Sequence, residues 1–153
     1  MDTMTKEQRH RCMAAIRSKD TTPEWAVRRM AFAMGFRYRL HVKRLPGKPD
    51  LVFPHLRKVI FVHGCFWHGH DCATGRKPPA TNAAFWAAKI ARNKARDKRD
   101  LATLWKTGWQ TLVVWECETK DPARLRALLS VFLAPVERPP VNYDLAEQNA
   151  LYS

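Results

Sequence analysis

Hydrophobic residues recur at helical spacing in two stretches near the start of the chain. The sequence TKEQ, residues 5–8, can form a capping box that starts a basic helix reaching about residue 19. The sequence TTPE restarts the pattern, with Thr22 as the N-cap and Pro23 at the first helical position. Gly35 is expected to end this second helix. One face of it is apolar and carries Val27, Met30, Ala31 and Met34.

Two further helices are predicted in the second half of the chain. Asn82 can cap a long helix that Gly108 ends, and Asp121 with Pro122 begins a last one. The long helix has an apolar side formed by Trp86, Ile90, Leu101 and Leu104. A stripe of positive charge lies toward the opposite side, at Lys89, Arg92, Arg96 and Arg99. Asn93 and Asp97 fall nearer the core, so this polar pair is either satisfied structurally or directed at a site.

Four stretches have the patterns of β-strands. FRYRLH alternates strictly and indicates a strand with one buried face, and LPGKPDLVF makes a turn into a second strand. KVIFVH and WQTLVVW are almost continuously apolar, as strands covered on both faces are. The order α–α–β–β–β–α–β–α predicts an α/β layered domain. We expect one domain over residues 1–134 and a loosely attached, Pro-rich tail over 135–153.

The charge balance changes the expected partner. The chain has 27 Lys and Arg residues against 14 Asp and Glu, a net charge of +13, which indicates a polyanion and above all nucleic acid. A basic surface without a partner is the alternative. No apolar run is long enough for a membrane span, and the first residues lack a secretory signal, so a reducing cytosol is expected. In that compartment four cysteines indicate metal binding or free thiols, and Cys12 could be a plain thiol.

The sequence VIFVHGCFWHGHDC, residues 59–72, concentrates metal-binding residue types. Three thiolates and one imidazole would form the closed tetrahedral site of structural zinc, with the ligands Cys65, His70, Cys72 and Cys117. By spacing alone His68 competes with His70 for the fourth place, and Asp71 is a remote candidate. The alternative is a set of ordinary buried thiols.

Two adjacent large rings, Phe66 and Trp67, lie inside this loop. If zinc fixes the loop, the rings can be held out as a wedge that enters a DNA base step, which costs a few kcal/mol of unstacking. Packing in the core is the alternative for either ring. With the net charge in view, the basic stripe of the long helix, including Arg92 and Arg96, is expected to contact phosphates.

The sequence KPD, residues 48–50, stands at the start of a predicted strand, and FVH closes the next one. Asp50 and the main-chain carbonyl of Val62 could meet across neighbouring strands as hard oxygen ligands for Mg²⁺. Such an ion can stabilise the attacking and leaving oxygens of a phosphodiester. A common Pro-Asp turn is the alternative.

Four segments together resemble the very-short-patch repair (Vsr-type) DNA mismatch endonucleases: LPGKPDLVF, VIFVHGCFWHGHDC, PPATNAAFWAAKIARNKARDKRD and GWQTLVVWEC. The resemblance extends from about Met13 to Cys117. It implies a restriction-endonuclease-like (PD-(D/E)XK-type) core, in which helices flank a mixed central sheet, with a structural zinc. It implies a Mg²⁺-dependent enzyme that nicks one strand 5′ of the thymine in a T:G mismatch, the product of 5-methylcytosine deamination. Gly69 and Asp71 interrupt the histidine-rich run of the family.

The resemblance also implies a role for each site residue. Asp50 would bind Mg²⁺ with the Val62 carbonyl, and His68 would be the general base, helped by Glu24. His63 would be a second catalytic residue that Asp97 could orient. The zinc ligands would be Cys65, His70, Cys72 and Cys117, which leaves His68 for catalysis. The wedge and the other DNA-contacting residues would be Met13, Phe66, Trp67, Trp86, Lys89 and Asn93.

Two other functions fit the same residues less fully. One is a restriction-type nuclease that cuts unmismatched duplex, and the other is a zinc-stabilised DNA-binding module without catalysis. Glu24, Asp50, His63 and His68 argue against the module, because binding DNA requires none of them. We expect a monomer, since a two-fold dimer suits a palindrome better than a lesion in one strand. Double-stranded DNA is the expected partner, with mismatch-repair proteins as further candidates, in the bacterial cytoplasm at the nucleoid.

Overall fold

The computed structural model describes residues 5–7, 20–77 and 81–134 of the chain. In this part three helices and three strands follow in the order α1 (Thr22–Ala33), β1 (Leu51–Phe53), β2 (Lys58–His63), α2 (Ala83–Lys106), β3 (Gln110–Trp115) and α3 (Pro122–Leu133). A 3₁₀ turn (Glu116–Lys120) joins β3 to α3. The predicted N-terminal helix beyond residue 7 and the predicted tail lie outside the described residues. No helix within the described ranges is both long and apolar enough to cross a membrane.

The strands form one mixed sheet in the order β1–β2–β3. β1 pairs antiparallel with β2, and β2 pairs parallel with β3 over six residues, so that His63 and Trp115 stand side by side at the end of the ladder. The mixed sheet was predicted, but the prediction of a full strand over FRYRLH was wrong. That segment makes a single bridge, Arg39 to Val52. His41 then takes a left-handed backbone with φ 56°, which ends the extended run.

Hydrophobic residues cover both faces of this sheet. Alternate strand residues point to opposite faces, so Leu51, Phe53 and Ile60 pack with α1 and α3 while Val52, Val59 and Phe61 pack under α2. The first cluster is completed by Val27, Ala31, Val114, Leu125, Leu129 and Leu133, and the second by Leu104 and Trp109. The layered α/β arrangement predicted from the sequence is therefore confirmed.

The ends of the helices follow the sequence signals with two corrections. Thr21, not Thr22, is the N-cap of α1, because its hydroxyl accepts from the Glu24 N–H at 3.4 Å. Asn82 precedes α2 as predicted, but its backbone is left-handed and its side chain makes no capping hydrogen bond. Asp121 does cap α3, accepting from the Arg124 N–H at 3.3 Å.

The long helix α2 divides along its length, whereas the sequence predicted a division by face. Leu101 and Leu104 pack against the sheet, but Trp86 joins an aromatic group on the loop that follows β2. Lys89 was predicted on the opposite side from Trp86. Its ammonium group instead lies over the Trp86 ring, 5.6 Å from the centroid. The first half of α2 thus faces the loop, and the second half covers the sheet.

Candidate functional site

A cleft of about 660 Å³ lies between α1, the start of β1, the end of β2 and the middle of α2. It collects most of the catalytic candidates of the sequence on separate elements. Its lining includes Glu24 of α1, Asp50 before β1, Val62 and His63 of β2, His68 of the following loop and Asp97 of α2. Cationic side chains stand around these groups, at Arg28, Lys43, Lys48 and Arg96.

Asp50 is held against the sheet by the backbone of Val62. The Val62 N–H donates to Asp50 Oδ2 at 2.6 Å, so the contact expected between these two residues forms through the amide rather than the carbonyl. Burial, with a smaller contribution from the nearby Glu24 carboxylate, raises the pKa of Asp50 to about 7 against the opposing effects of the Val62 N–H and Arg28. A carboxylate in this state fits a cation, because a positive ion would stabilise its ionised form.

Glu24 lies beside Asp50 on a network of its own. Its Oε2 accepts from the Arg28 guanidinium at 3.1 Å and from the Asp20 N–H at 2.8 Å. Arg28 also donates to Asp20 Oδ1 at 2.8 Å. In the described part of the chain, the carboxylate that hydrogen bonds to His68 belongs to Asp97. The expected assistance of His68 by Glu24 stays a prediction.

The two histidines of the cleft form a stacked pair. The rings of His63 and His68 are 3.8 Å apart and nearly parallel. Asp97 Oδ2 is 2.5 Å from His68 Nδ1 but 4.0 Å from His63 Nδ1. Asp97 therefore orients His68, whereas the sequence had predicted that it orients His63. Burial lowers the pKa of His63 to about 4, and the charges of His68 and Arg96 act in the same direction. His63 is thus neutral near pH 7.

His63, His68 and Asp97 place three ligand atoms within 4.8 Å of one another, which raises the question of a metal ion. An imidazole binds a metal through a lone pair in the plane of its ring. The rings of His63 and His68 are nearly parallel, so one ion cannot lie in the plane of both rings. The geometry instead fits a histidine base supported by a neutral ring and oriented by a carboxylate.

A second cluster gathers the four zinc ligands implied by the resemblance. One ligand atom each from Cys65, His70, Cys72 and Cys117 lies within 4.8 Å of the others. A tetrahedral zinc ion with bonds of about 2.3 Å to sulfur separates its ligand atoms by roughly 3.8 Å, so this donor set fits zinc. Burial raises the pKa of the Cys65 thiol to about 12, and hydrogen bonds with the thiols of Cys117 and Cys72 contribute. A bound cation would oppose this shift, because it favours the thiolate.

The loop reaches this geometry through two close backbone approaches. The His70 N–H donates to the Cys65 carbonyl at 2.9 Å, and the Gly75 N–H donates to Cys72 Sγ at 3.3 Å. A Cβ at Gly75 would overlap the His70 carbonyl oxygen. Gly69 has φ 63° and packs so closely on α2 that a Cβ would stand 2.8 Å from Ile90. Glycine is needed at both positions.

Phe66 and Trp67 lie half-buried outside both hydrophobic clusters of the sheet. They contact each other and Trp86 at ring distances of 5.3 to 5.8 Å, all edge to face. Two residues expected to contact DNA support this group. Lys89 lies over the Trp67 ring at 5.5 Å, and the Asn93 amide donates to the Trp67 carbonyl at 2.8 Å. The chain leads directly from Trp67 to His68, which lines the cleft.

Arg92 and Arg96 are exposed on α2, as the predicted phosphate-binding stripe requires. Arg96 also lines the cleft and donates to Asn93 at 3.2 Å. Met13 lies outside the described residues. Sequence reasoning missed Arg28 and Trp115. The spacing of Glu24 and Arg28, four residues apart on a helix, was an available signal for the first, while local sequence carried no signal for the second.

Comparisons with known proteins agree with the motifs. A sequence model of the family described as DNA mismatch endonuclease Vsr matches residues 1–74. The chain is similar to Type II nicking enzyme V.XorIIP of Xanthomonas oryzae pv. oryzae, with 48% identity over 134 residues that cover 88% of this chain and 98% of the relative. It is also similar to DNA mismatch endonuclease Vsr of Escherichia coli, with 41% identity over 124 residues, 81% of this chain and 79% of the relative.

Proposed function

This chain belongs to the Vsr family of DNA mismatch endonucleases, and from that premise we propose that it nicks one strand 5′ of the thymine in a T:G mismatch. The resemblance stated from the motifs is thereby confirmed, and the chain is a DNA endonuclease. The T:G substrate, which arises in very-short-patch repair of deaminated 5-methylcytosine, is supported by one observation above all. A cleft with acidic groups and an oriented histidine adjoins a group of three rings that adjacent DNA bases could contact.

The oriented histidine is the base in this proposal. With His68 Nδ1 donating to Asp97, Nε2 of the same ring is the atom that takes the proton from the attacking water. His63 supports the ring by stacking and contributes no positive charge near pH 7. Removal of this proton makes water a better nucleophile toward the phosphorus atom.

Asp50, assisted by the Val62 carbonyl, would hold Mg²⁺ in this reaction. The ion supplies positive charge that stabilises the attacking and leaving oxygens of the phosphodiester. Glu24 stands beside Asp50 and adds negative charge to the cation site, while Arg28 fixes the position of Glu24. The hydrogen bond from the Val62 N–H orients the Asp50 carboxylate.

The cluster of Cys65, His70, Cys72 and Cys117 would hold zinc in a structural role. When bound, the ion supplies cross-linking of the loop to the turn after β3, since Cys117 lies on that turn and the other three ligands on the loop. Phe66 and Trp67 stand on the cross-linked loop. We propose that they enter the base step beside the mismatch, with Trp86, Lys89, Asn93, Arg92 and Arg96 along the DNA, and Met13 as a further wedge residue.

The remaining parts of the proposal concern architecture and context. The mixed sheet, with Asp50 just before β1 and His63 at the end of the central strand β2, supports a restriction-endonuclease-like (PD-(D/E)XK-type) core. We propose a single domain over residues 1–134 that acts as a monomer on double-stranded DNA, alongside mismatch-repair proteins. Cys65, Cys72 and Cys117 form no disulfide with one another, which agrees with the reducing bacterial cytoplasm that we propose as the location.

The test uses end-labelled duplexes that differ at one position, T:G against T:A, over a panel of flanking sequences, with and without Mg²⁺. A Mg²⁺-dependent nick 5′ of the thymine in the T:G duplex alone is the expected result. Equal cutting of both duplexes would support a restriction-type nuclease, a second candidate favoured by relatives named as Type II nicking enzymes. Binding without a nick would support the DNA-binding module.

A further inference from the structure

Trp115 stands between the two clusters of ligand-type side chains. It is the last residue of β3 and the ladder partner of His63, the last residue of β2. Cys117 follows two residues later on the 3₁₀ turn. The indole is half-buried and belongs to neither hydrophobic cluster of the sheet. Its position therefore calls for an explanation other than core packing.

One indole ring contacts a histidine of each cluster. Its face stacks on His70, with the ring centroids 4.1 Å apart and the planes 6° from parallel. The His63 ring meets it edge to face at 5.3 Å and 74°, and the His68 ring does so at 6.5 Å and 69°. Trp115 thus bridges the cysteine-rich cluster and the stacked histidine pair of the cleft.

The backbone of Trp115 is fixed independently of these rings. Its N–H donates to Glu118 Oε1 at 3.0 Å, and Glu118 is buried and paired with Arg124 of α3 at 3.3 Å. The next turn contacts the loop, because the Cys117 N–H donates to Cys65 Sγ at 3.4 Å. The backbone from which the indole projects is consequently anchored to the buried Glu118 and, through Cys117, to the loop.

We propose that Trp115 is a positioning residue that sets the rings of His63 and His68 relative to the loop that carries His70, and so joins the zinc site to the nicking site. This inference rests on the proposed function of the cleft. The covalent path from His70 to His68 runs through Gly69, which has no side chain to restrict its rotation. Ring contacts with Trp115 supply an alignment that the loop backbone alone does not.

The experiment compares Trp115→Leu, which keeps apolar volume without a flat ring, with Trp115→Phe, which keeps a ring. Trp105→Leu is the control, because Trp105 is 75% exposed near the end of α2 and away from both clusters. For each purified full-length variant, zinc content, melting temperature, kcat and KM are measured with the duplex that the wild-type protein cuts. Long-range ¹H–¹⁵N spectra of the histidine rings report whether their environment changes.

We expect Trp115→Leu to lower kcat by about 100-fold, as a misplacement of roughly 1 Å does, with KM changed less than about threefold. Zinc content and melting temperature should stay near the wild-type values, and the ring signals of His63 and His70 should move. Trp115→Phe should recover about tenfold of the lost kcat, since it restores a stacking face.

Two results would overturn the inference. In the first, Trp115→Leu retains wild-type kcat, which means that the ring contacts do not align the histidines. In the second, the Leu variant loses kcat only together with zinc or with a drop in melting temperature, which means that Trp115 only stabilises the fold. If the Leu variant does not fold, the same criterion is applied to the Phe variant. A wild-type protein that prefers T:A duplexes would contradict the proposed function instead, and the variants can still be compared on that substrate.

Discussion

The two ligand clusters of this protein both contain histidine, but they differ in how open they are. The cluster of Cys65, His70, Cys72 and Cys117 is closed, because its four donors face one another within 4.8 Å. The cleft around Asp50 and His68 is open, with a volume of about 660 Å³ and cationic side chains around it. A closed donor set holds a cation for its structural effect, while an open one leaves space for a phosphate and water.

The pKa values of the two regions show the same contrast. Burial raises the pKa of Cys65 to about 12 and that of Asp50 to about 7. Without a cation, Cys65 is thus a neutral thiol near pH 7, whereas Asp50 is poised between its two charge states. The difference teaches that Cys65 needs a nearby positive charge to ionise near pH 7, whereas Asp50 can ionise there without one, because its pKa is raised only to about 7.

The largest expected effect is the loss of nicking in Asp50→Asn. This change removes the negative charge of the candidate Mg²⁺ ligand while the amide oxygen can still accept from the Val62 N–H. A bound cation contributes several kcal/mol to the reaction, so kcat should fall by about 1000-fold or more. Single-turnover nicking measures this, with Asp71→Asn, an exposed carboxylate, as the control. Retained nicking would remove Asp50 from the mechanism, and the two regions would no longer differ as described.

The next effect should come from opening the closed site with Cys117→Ser. Loss of one thiolate weakens zinc binding, and binding energy is folding energy in such sites, so we expect a loss of about 3 kcal/mol in the free energy of unfolding. Urea denaturation and zinc analysis of the purified protein provide the measurement. Cys12→Ser is the matched control, because Cys12 is not among the predicted ligands. Unchanged zinc content and stability would show that these thiols are ordinary buried groups.

Asp50→Asn should also stabilise the protein in buffer without added Mg²⁺. The pKa of Asp50 is raised from 3.8 to about 7 in the folded state, so its stabilising contribution is present below pH 3.8 and is lost as the pH rises toward 7. At pH 8 the wild-type protein carries a buried, ionised carboxylate that the variant lacks. We expect a gain of about 2 kcal/mol at pH 8 and a smaller gain at pH 5, measured by urea denaturation. Equal gains at both pH values would contradict a raised pKa.

The smallest expected effect concerns the rings on the loop. Trp67→Ala should reduce the preference for T:G over T:A by about tenfold, while the affinity for T:A duplex changes by less than about threefold. Competition binding with both duplexes measures this, and Trp105→Ala is the control at an exposed position. If affinity for both duplexes falls equally, the ring contributes general contact and not recognition of the mismatch.

The sequence predicted the elements better than the contacts between them. Continuous apolar runs located β2 and β3, because burial on both faces leaves a local pattern. Asn82 and Gly108 located the ends of the long helix, because residues of these types mark where helices begin and end. The FRYRLH alternation was misleading, since a left-handed His41 limits that segment to one bridge. Alternation records which side is buried but not how far a strand pairs.

The site was predicted by residue type and only partly by geometry. The resemblance named Asp97 but assigned it to His63, whereas the Asp97 carboxylate lies closer to His68 and hydrogen bonds to it. The role of Arg28 and the contacts of Trp115 depend on packing between distant segments, which no local period encodes. The four zinc-ligand candidates are gathered in space although Cys117 lies 45 residues after Cys72 in the chain. Residue type alone had proposed this set, but it left His68 in competition with His70 for the fourth place.

The parallel ladder that ends at His63 and Trp115 has a consequence for how such a chain can change over generations. Inserting one residue within β2 or β3 would reverse the direction of every side chain beyond it and would disturb both ligand clusters at once. Length variation should therefore be excluded from these two strands, which accept substitutions only. The same holds for the segment just after Cys72, because the Gly75 N–H donates to Cys72 Sγ and a Cβ at Gly75 would overlap the His70 carbonyl oxygen.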